Sequence, residues 1–225
     1  MKNIFKNFYG RVSGHLSEKS NRLLKDVLPV YSINDDFFKH ISNFKNTAYK
    51  EVTLEIGFGS GDFIFQSAKA NPDVLYIGVE VFLNGVASLL GKLEEQPLSN
   101  IKIYNSNLYN ILDEIPENIF DNIYILFPDP WPKKKHHKRR LINSDNLFLF
   151  SKILKPQGGL RFVSDYPDYV DYALENILSS KLFIWNANDV DDFTLPPKNH
   201  FETKYERKAK QKGSPISYLD FVVAK

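Results

Sequence analysis

A chain of 225 residues, 43% of them hydrophobic, is long enough for one large domain with a proper core. It contains no cysteine, which excludes disulfides and thiolate metal sites. With no run of about eighteen apolar residues and no apolar signal segment behind its first lysines, a cytoplasmic protein with no membrane span is expected. The net charge of +2 conceals a polarity: residues 1–26, 133–140 and 198–212 carry +4, +6 and +4, which leaves the rest of the chain acidic. Cations gathered at three places suit a partner with a phosphate backbone.

In chain order, residues 1–26 mix Lys, Arg, Ser, Asn and Gly without a sustained period and read as a flexible basic arm. Residues 26–46 hold short apolar pieces, among them Val27, Leu28, Phe38 and Phe44, that suit a turn or two of helix over the edge of the main domain. The expected division is an arm and cover segment at 1–45 and a single main domain at 46–225. From Glu51 the pattern becomes regular. Strands are expected at Val52–Ile56, Leu75–Val79, Ile101–Tyr104, Ile123–Phe127 and Leu160–Val163, with helices near 62–68, 84–95, 143–154 and 168–178 between and after them. Gly158-Gly159 reads as a turn, and Leu182–Trp185 with Tyr218–Val223 as a closing hairpin. Such alternation predicts an α/β domain with a mainly parallel sheet.

The first strand runs into Gly57-Phe58-Gly59-Ser60-Gly61 and then a helix. Closely spaced glycines there bring backbone N–H groups and a positive helix end against a ligand; a tight turn needing glycine for steric reasons is the alternative. A dinucleotide loop wants its third glycine where this chain has Asp62, and no P-loop Lys-Ser/Thr follows, so the spacing is that of methyltransferase loops. Glu80, at the end of the second strand, is placed to hydrogen-bond a ribose diol; an ordinary exposed strand-end acid is the alternative. Glu55, Glu80, Asn107, Asp129 and Asp165 stand at the ends of successive strands, where ligands of open α/β sheets bind.

After the fourth strand comes FPDPWPKKKHHKRR, Phe127 to Arg140. Its prolines fix φ at positions 128 and 130 and bias Phe127 and Asp129 toward extended geometry, so that the Asp129 carboxylate is aimed. The six Lys or Arg and two His between Lys133 and Arg140 repel one another unless a polyanion or acidic side chains face them; a solvated basic loop or a targeting signal is the alternative. His136 and His137 do not suggest a metal, because the flanking cations would repel one. Trp131 suits either stacking on a base or packing beneath the loop. Asp165 can act on a ligand or cap a helix before Pro167, and Thr203 with Glu206 can form a capping box.

Together, LEIGFGSG, IGVE, LFPDPWPKKKHHKRR, RFVSDYPDYV and the late TKYE resemble the bacterial tRNA (guanine-N7)-methyltransferases, from about Glu51 to Phe221. The resemblance implies a Rossmann-like class I methyltransferase fold: a mainly parallel seven-stranded sheet with helices on both faces and a C-terminal antiparallel hairpin. It also implies methyl transfer from S-adenosyl-L-methionine to N7 of guanine 46 in the tRNA variable loop, by a monomer or weak homodimer, without a metal. By similarity, Glu55, Gly57, Gly59, Gly61, Glu80, Asn107 and Asp129 surround the cofactor. Lys133, Asp165, Thr203, Lys204, Tyr205 and Glu206 meet the substrate, and Lys135, His136, His137, Lys138, Arg139 and Arg140 contact RNA. Asn107 stands where the family usually has Asp; an amide can still accept from and donate to the adenine edge. Guanine N7 carries a lone pair and no proton, so orientation is the main catalytic task, and Asp129 is the expected catalytic residue.

Overall fold

The computed structural model describes residues 10–41 and 49–224. Residues 1–9 of the expected arm, Phe44, the expected boundary at residue 46 and the last residue lie outside them. The chain forms two compact units, residues 1–116 and 117–225.

In the first unit, the stretch read as an arm folds from Ser17 onward. The Ser17 hydroxyl accepts the Ser20 N–H at 3.1 Å and caps α1 (Glu18–Asp26). Leu23 of α1 is buried in a cluster with Leu89, Leu90 and Leu93, and Arg22 forms a two-pronged pair with Glu94 at 2.6 and 2.8 Å. At nine residues with one buried position, this helix is too short to be stable except by packing. Ahead of it, residues 12–15 cross the start of a later helix: Leu83 N–H donates to Val12 O, Gly14 N–H to Asn84 Oδ1 and Asn84 Nδ2 to His15 O, each at 2.8 Å. The short helices α2 (Leu28–Tyr31) and α3 (Asp35–Lys39) follow. Between them Ile33 N–H donates to Ile103 O at 2.9 Å, which lays this segment along a strand edge.

Three parallel strands follow: β1 (Glu51–Ile56), β2 (Val74–Val79) and β3 (Ile101–Tyr104), in the order β3-β2-β1. The helices α4 (Asp62–Ala70) and α5 (Leu83–Glu95) make the crossovers. Every residue of β2 is buried, which is why it reads as one continuous apolar run.

The second unit has the order β4-β5-β7-β6. Here β4 (Phe120–Leu126) is parallel to β5 (Leu154–Ser164), and β7 (Ser217–Val223) is antiparallel to both β5 and β6 (Phe183–Trp185). Its helices are α6 (Ser144–Ile153), α7 (Pro167–Ser180), the short α8 (Asp191–Thr194) and α9 (Lys204–Gln211). The fold is thus the expected Rossmann-like one, a mainly parallel seven-stranded sheet with antiparallel C-terminal strands and helices around it. One local reading changes. Gly158-Gly159 lies inside β5, where pairing jumps from Phe120↔Leu154 to Asn122↔Gly159. Polar residues before the glycines form a bulge with Gln157 at φ +63°, so the apolar signal marks only the strand's second half.

Candidate active site

In the first unit, β1 ends in the glycine loop, with Gly57, Gly59 and Gly61 at φ +74°, +54° and +71°. A Cβ built on Gly57 would meet nothing within 4 Å, so the loop leaves open space there, whereas one on Gly61 would stand 2.7 Å from Leu89 Cβ. The loop is held from α5: Lys92 Nζ donates to Ser60 O at 2.5 Å and pairs with Asp62 Oδ1 at 2.8 Å.

Glu80, half-buried past the end of β2, grips the same loop. Its Oε2 accepts the Gly59 N–H, and its Oε1 those of Val81 and Phe82, all at 2.8 Å. These bonds hold the carboxylate in a fixed orientation at the end of the strand. Asn105, which the sequence reading passed over, donates Nδ2 to Glu80 O at 2.7 Å and fixes that turn. Its signal was a polar residue just past a strand on the rim that carries the other candidates. Asn107 Oδ1 accepts the Tyr109 N–H at 3.2 Å and caps the single 3-10 turn Leu108–Asn110. Asp caps equally well, so the local fold accepts either residue at 107.

Glu55 is 3% exposed, and its Oε2 has no hydrogen-bond partner among the described residues. Burial, then the charges of Glu80 and Asp62, push its pKa to about 8. An orphaned buried acid oxygen, two further carboxylates and open space at Gly57 suit a cationic ligand with hydroxyl donors. S-adenosylmethionine, with a sulfonium, an ammonium and a ribose diol, fits that description.

In the second unit, Phe127 N–H makes the last β4–β5 rung to Val163 O at 2.8 Å, and the chain then leaves the sheet sharply. The expected extended geometry fails at Phe127, which adopts φ +51°; Trp131 has φ +47°. Two bulky residues in the left-handed region cost about 1–2 kcal/mol each, and they bracket Asp129. The turn off the strand imposes this against the local preference of a residue before proline. Asp129 is exposed and engages no side chain among the described residues. Asp165 lies half-buried just past β5, on the same rim, because Leu126 pairs with Val163. It does not cap α7, whose N-cap is Tyr166, without any side-chain hydrogen bond.

The basic run forms a 3-10 helix, Lys134–Arg139, with Lys133 at its N-cap. Lys133, Lys134, Lys135 and Lys138 are exposed. Trp131 packs into its own loop: the Arg139 guanidinium lies 4.8 Å from its ring centroid, and His136 meets it edge-on at 5.8 Å. Partial burial, then the charges of Arg139, Lys135, Lys133 and Lys138, lower the His136 pKa, which favours its neutral form. His137 is half-buried beside Tyr172, their ring centroids 6.0 Å apart. Arg140 departs most from a row of phosphate contacts, because its side chain is fully buried.

Within the TKYE stretch, Lys204 and Tyr205 face solvent while Thr203 and Glu206 turn inward. Thr203 Oγ1 accepts the Glu206 N–H at 3.0 Å and caps α9. The Glu206 carboxylate accepts from Tyr218 at 2.7 Å and Lys210 at 2.9 Å, and His200 Nε2 lies 2.5 Å away. It therefore ties α9 to β7. Among the described residues, no group of three or more His, Cys, Asp or Glu could hold a metal ion, and no helix is long and apolar enough to cross a membrane.

A family model described as a putative methyltransferase matches residues 49–219. The tRNA (guanine-N(7)-)-methyltransferase of Agrobacterium fabrum is 37% identical over 218 residues, covering 96% of this chain and 94% of that relative. That of Azorhizobium caulinodans is 38% identical over 215 residues, covering 95% and 94%. Among solved structures, the 16S rRNA methyltransferase KamB superposes with a TM-score of 0.59 at 13% identity, over 82% of this chain and 94% of its own. A 16S rRNA (adenine(1408)-N(1))-methyltransferase from Catenulisporales acidiphilia, solved with cosubstrate SAM, gives 0.57 at 15% identity, over 86% and 92%. Sheet, glycine loop and these likenesses define a class I methyltransferase. Within that class the chain belongs to the bacterial tRNA (guanine-N7)-methyltransferase family.

Proposed function

We propose that this protein transfers the methyl group of S-adenosylmethionine to N7 of guanine 46 in the variable loop of tRNA, acting in the cytoplasm as a monomer or weak homodimer. The observation that carries the reading is the strained Phe127–Trp131 turn, which presents an unengaged Asp129 next to four exposed lysines. Such strain persists only where the surroundings impose it, and it concentrates at functional sites.

On this reading the first unit holds the cofactor: Glu80 takes the ribose hydroxyls, Asn107 the adenine edge, and Glu55, un-ionised in the free protein at neutral pH, gives up its proton when the ligand's positive charge faces it. When bound, the cofactor supplies an electrophilic methyl group on sulfur. The second unit holds the base. Asp129 and Asp165 accept from guanine N1–H and N2–H, and Asp129 also opposes the positive charge that the ring gains on methylation. No residue removes a proton, because N7 has none. Lys133, Lys204 and Tyr205 line the substrate side, Lys135 and Lys138 meet phosphates, and the basic arm, residues 1–26, adds RNA affinity.

The test is incubation with labelled S-adenosylmethionine and unmodified tRNA, followed by nucleoside analysis. Label in 7-methylguanosine is expected, and its loss when guanine 46 is replaced locates the target. Label in any other nucleoside, or tRNA binding without cofactor binding by calorimetry, overturns the reading.

A further inference from the structure

We propose that Arg140 is a positioning residue for Asp129, closing the Phe127–Arg140 loop from inside, and not one of the phosphate contacts of the basic run. The proposal rests on the reading that Asp129 acts on the guanine. Arg140 is 1% exposed, whereas four lysines of the same run face solvent. Its Nε donates to Pro130 O at 3.0 Å, the carbonyl directly after Asp129. Proline has no N–H, so that carbonyl is the only backbone hydrogen-bonding group through which Pro130 can be held.

Of the other two guanidinium nitrogens, Nη2 is committed as well, while Nη1 is buried without a hydrogen-bond partner among the described residues. Nη2 donates to Asp168 Oδ2 in the first turn of α7, and the rings of Tyr169 and Tyr172 lie 4.8 and 4.7 Å from its central carbon. The side chain therefore fastens the middle of the strained turn, between left-handed Phe127 and left-handed Trp131, to a helix. A planar guanidinium lies flat against aromatic rings while its separate nitrogens reach a carbonyl and a carboxylate in fixed directions; a lone ammonium nitrogen does not reproduce that stacked fork. The chain thus uses the last cation of a run that reads as uniform for a task of a different kind. The burial of the Arg140 charge is balanced by Asp168, whose pKa is lowered mainly by its hydrogen bond to Arg140.

The test compares Arg140→Lys, Asp168→Asn and the double variant Lys135→Ala/Lys138→Ala in the full chain. Thermal unfolding first establishes that each is folded. Readouts are single-turnover methyl transfer at saturating tRNA, the salt dependence of tRNA affinity, and Trp131 emission in a Trp185→Phe background. For Arg140→Lys we expect a rate lower by about tenfold or more, a shifted Trp131 emission and an unchanged salt slope. Asp168→Asn changes rate and emission in the same direction by less. The double lysine variant instead loses about two units of salt slope. A shallower slope in Arg140→Lys would make Arg140 a phosphate contact and overturn the proposal. Parental rate and emission would do the same, by reducing Arg140 to packing. If Arg140→Lys does not fold, Asp168→Asn, whose side chain is 59% exposed, decides the question alone: parental rate and emission there overturn the proposal. Absence of methyl transfer in the parent protein would mark the failure of the functional reading separately, and the emission shift would still decide whether Arg140 sets the loop.

Discussion

The Tyr218 hydroxyl donates to Glu206 Oε1 at 2.7 Å, and this buried bond joins the last strand to the helix that carries the TKYE stretch. Burial alone would raise the Glu206 pKa. The donors His200, Lys210 and Tyr218 outweigh it and hold the group at about 2, against 4.5 for an ordinary glutamate. The resulting stability is complete above about pH 4.5 and is lost as pH falls through about 2. Tyr218→Phe is expected to lower unfolding stability by about 1–2 kcal/mol at pH 7, measured in urea. Between pH 4.5 and 2, stability should fall less steeply in Glu206→Gln than in the parent, and equal steepness would show that the carboxylate is not held in this way.

Glu55 has the opposite sign. Its folded pKa of about 8 lies above the ordinary 4.5, so the unfolded chain ionises first and folding is progressively penalised as pH rises between those values. Glu55→Gln should therefore gain stability over the parent as pH rises from about 5 to 8, reaching a few kcal/mol at about 1.4 kcal/mol per pH unit. Cofactor affinity should fall in the same variant. A stability difference independent of pH would mean that Glu55 is ionised in the fold.

Gly85 tests how closely the glycine loop is packed. A Cβ on this residue of α5 would stand 2.4 Å from Gly59 O, a backbone atom that cannot swing aside. Alanine raises helix propensity, yet Gly85→Ala must displace the loop that Glu80 grips. Cofactor affinity measured by calorimetry should drop about tenfold or more while tRNA affinity is retained. Unchanged cofactor affinity would separate the loop from the cofactor site.

Asp129→Asn keeps size and backbone but removes the charge proposed to oppose that developing on guanine. Single-turnover transfer should slow by about 10²-fold with tRNA affinity largely kept. In the parent, the rate should stay level between about pH 6 and 8, because no proton leaves N7. A clear rise over that range at constant tRNA occupancy would point to a histidine base, His136 or His137, and end this mechanism.

Much of this protein is written locally. The buried run of β2, the glycines after β1, and the polar residues ending successive strands depend on periods and spacings a few residues long, so sheet order aside, the fold class and the rim of candidate residues are legible from sequence. Neighbours in the chain could not reveal which charges turn inward. Arg140 and Lys138 sit two positions apart in one basic run, yet only Arg140 has Asp168, Tyr169 and Tyr172 brought beside it from α7. Glu206 is buried because Tyr218 and His200 reach it from outside its helix, and α1 is a helix because Leu23 and Arg22 find partners on α5. Burying a charge costs several kcal/mol unless a partner is present, so its place is decided by residues distant in sequence, which only the tertiary structure brings together.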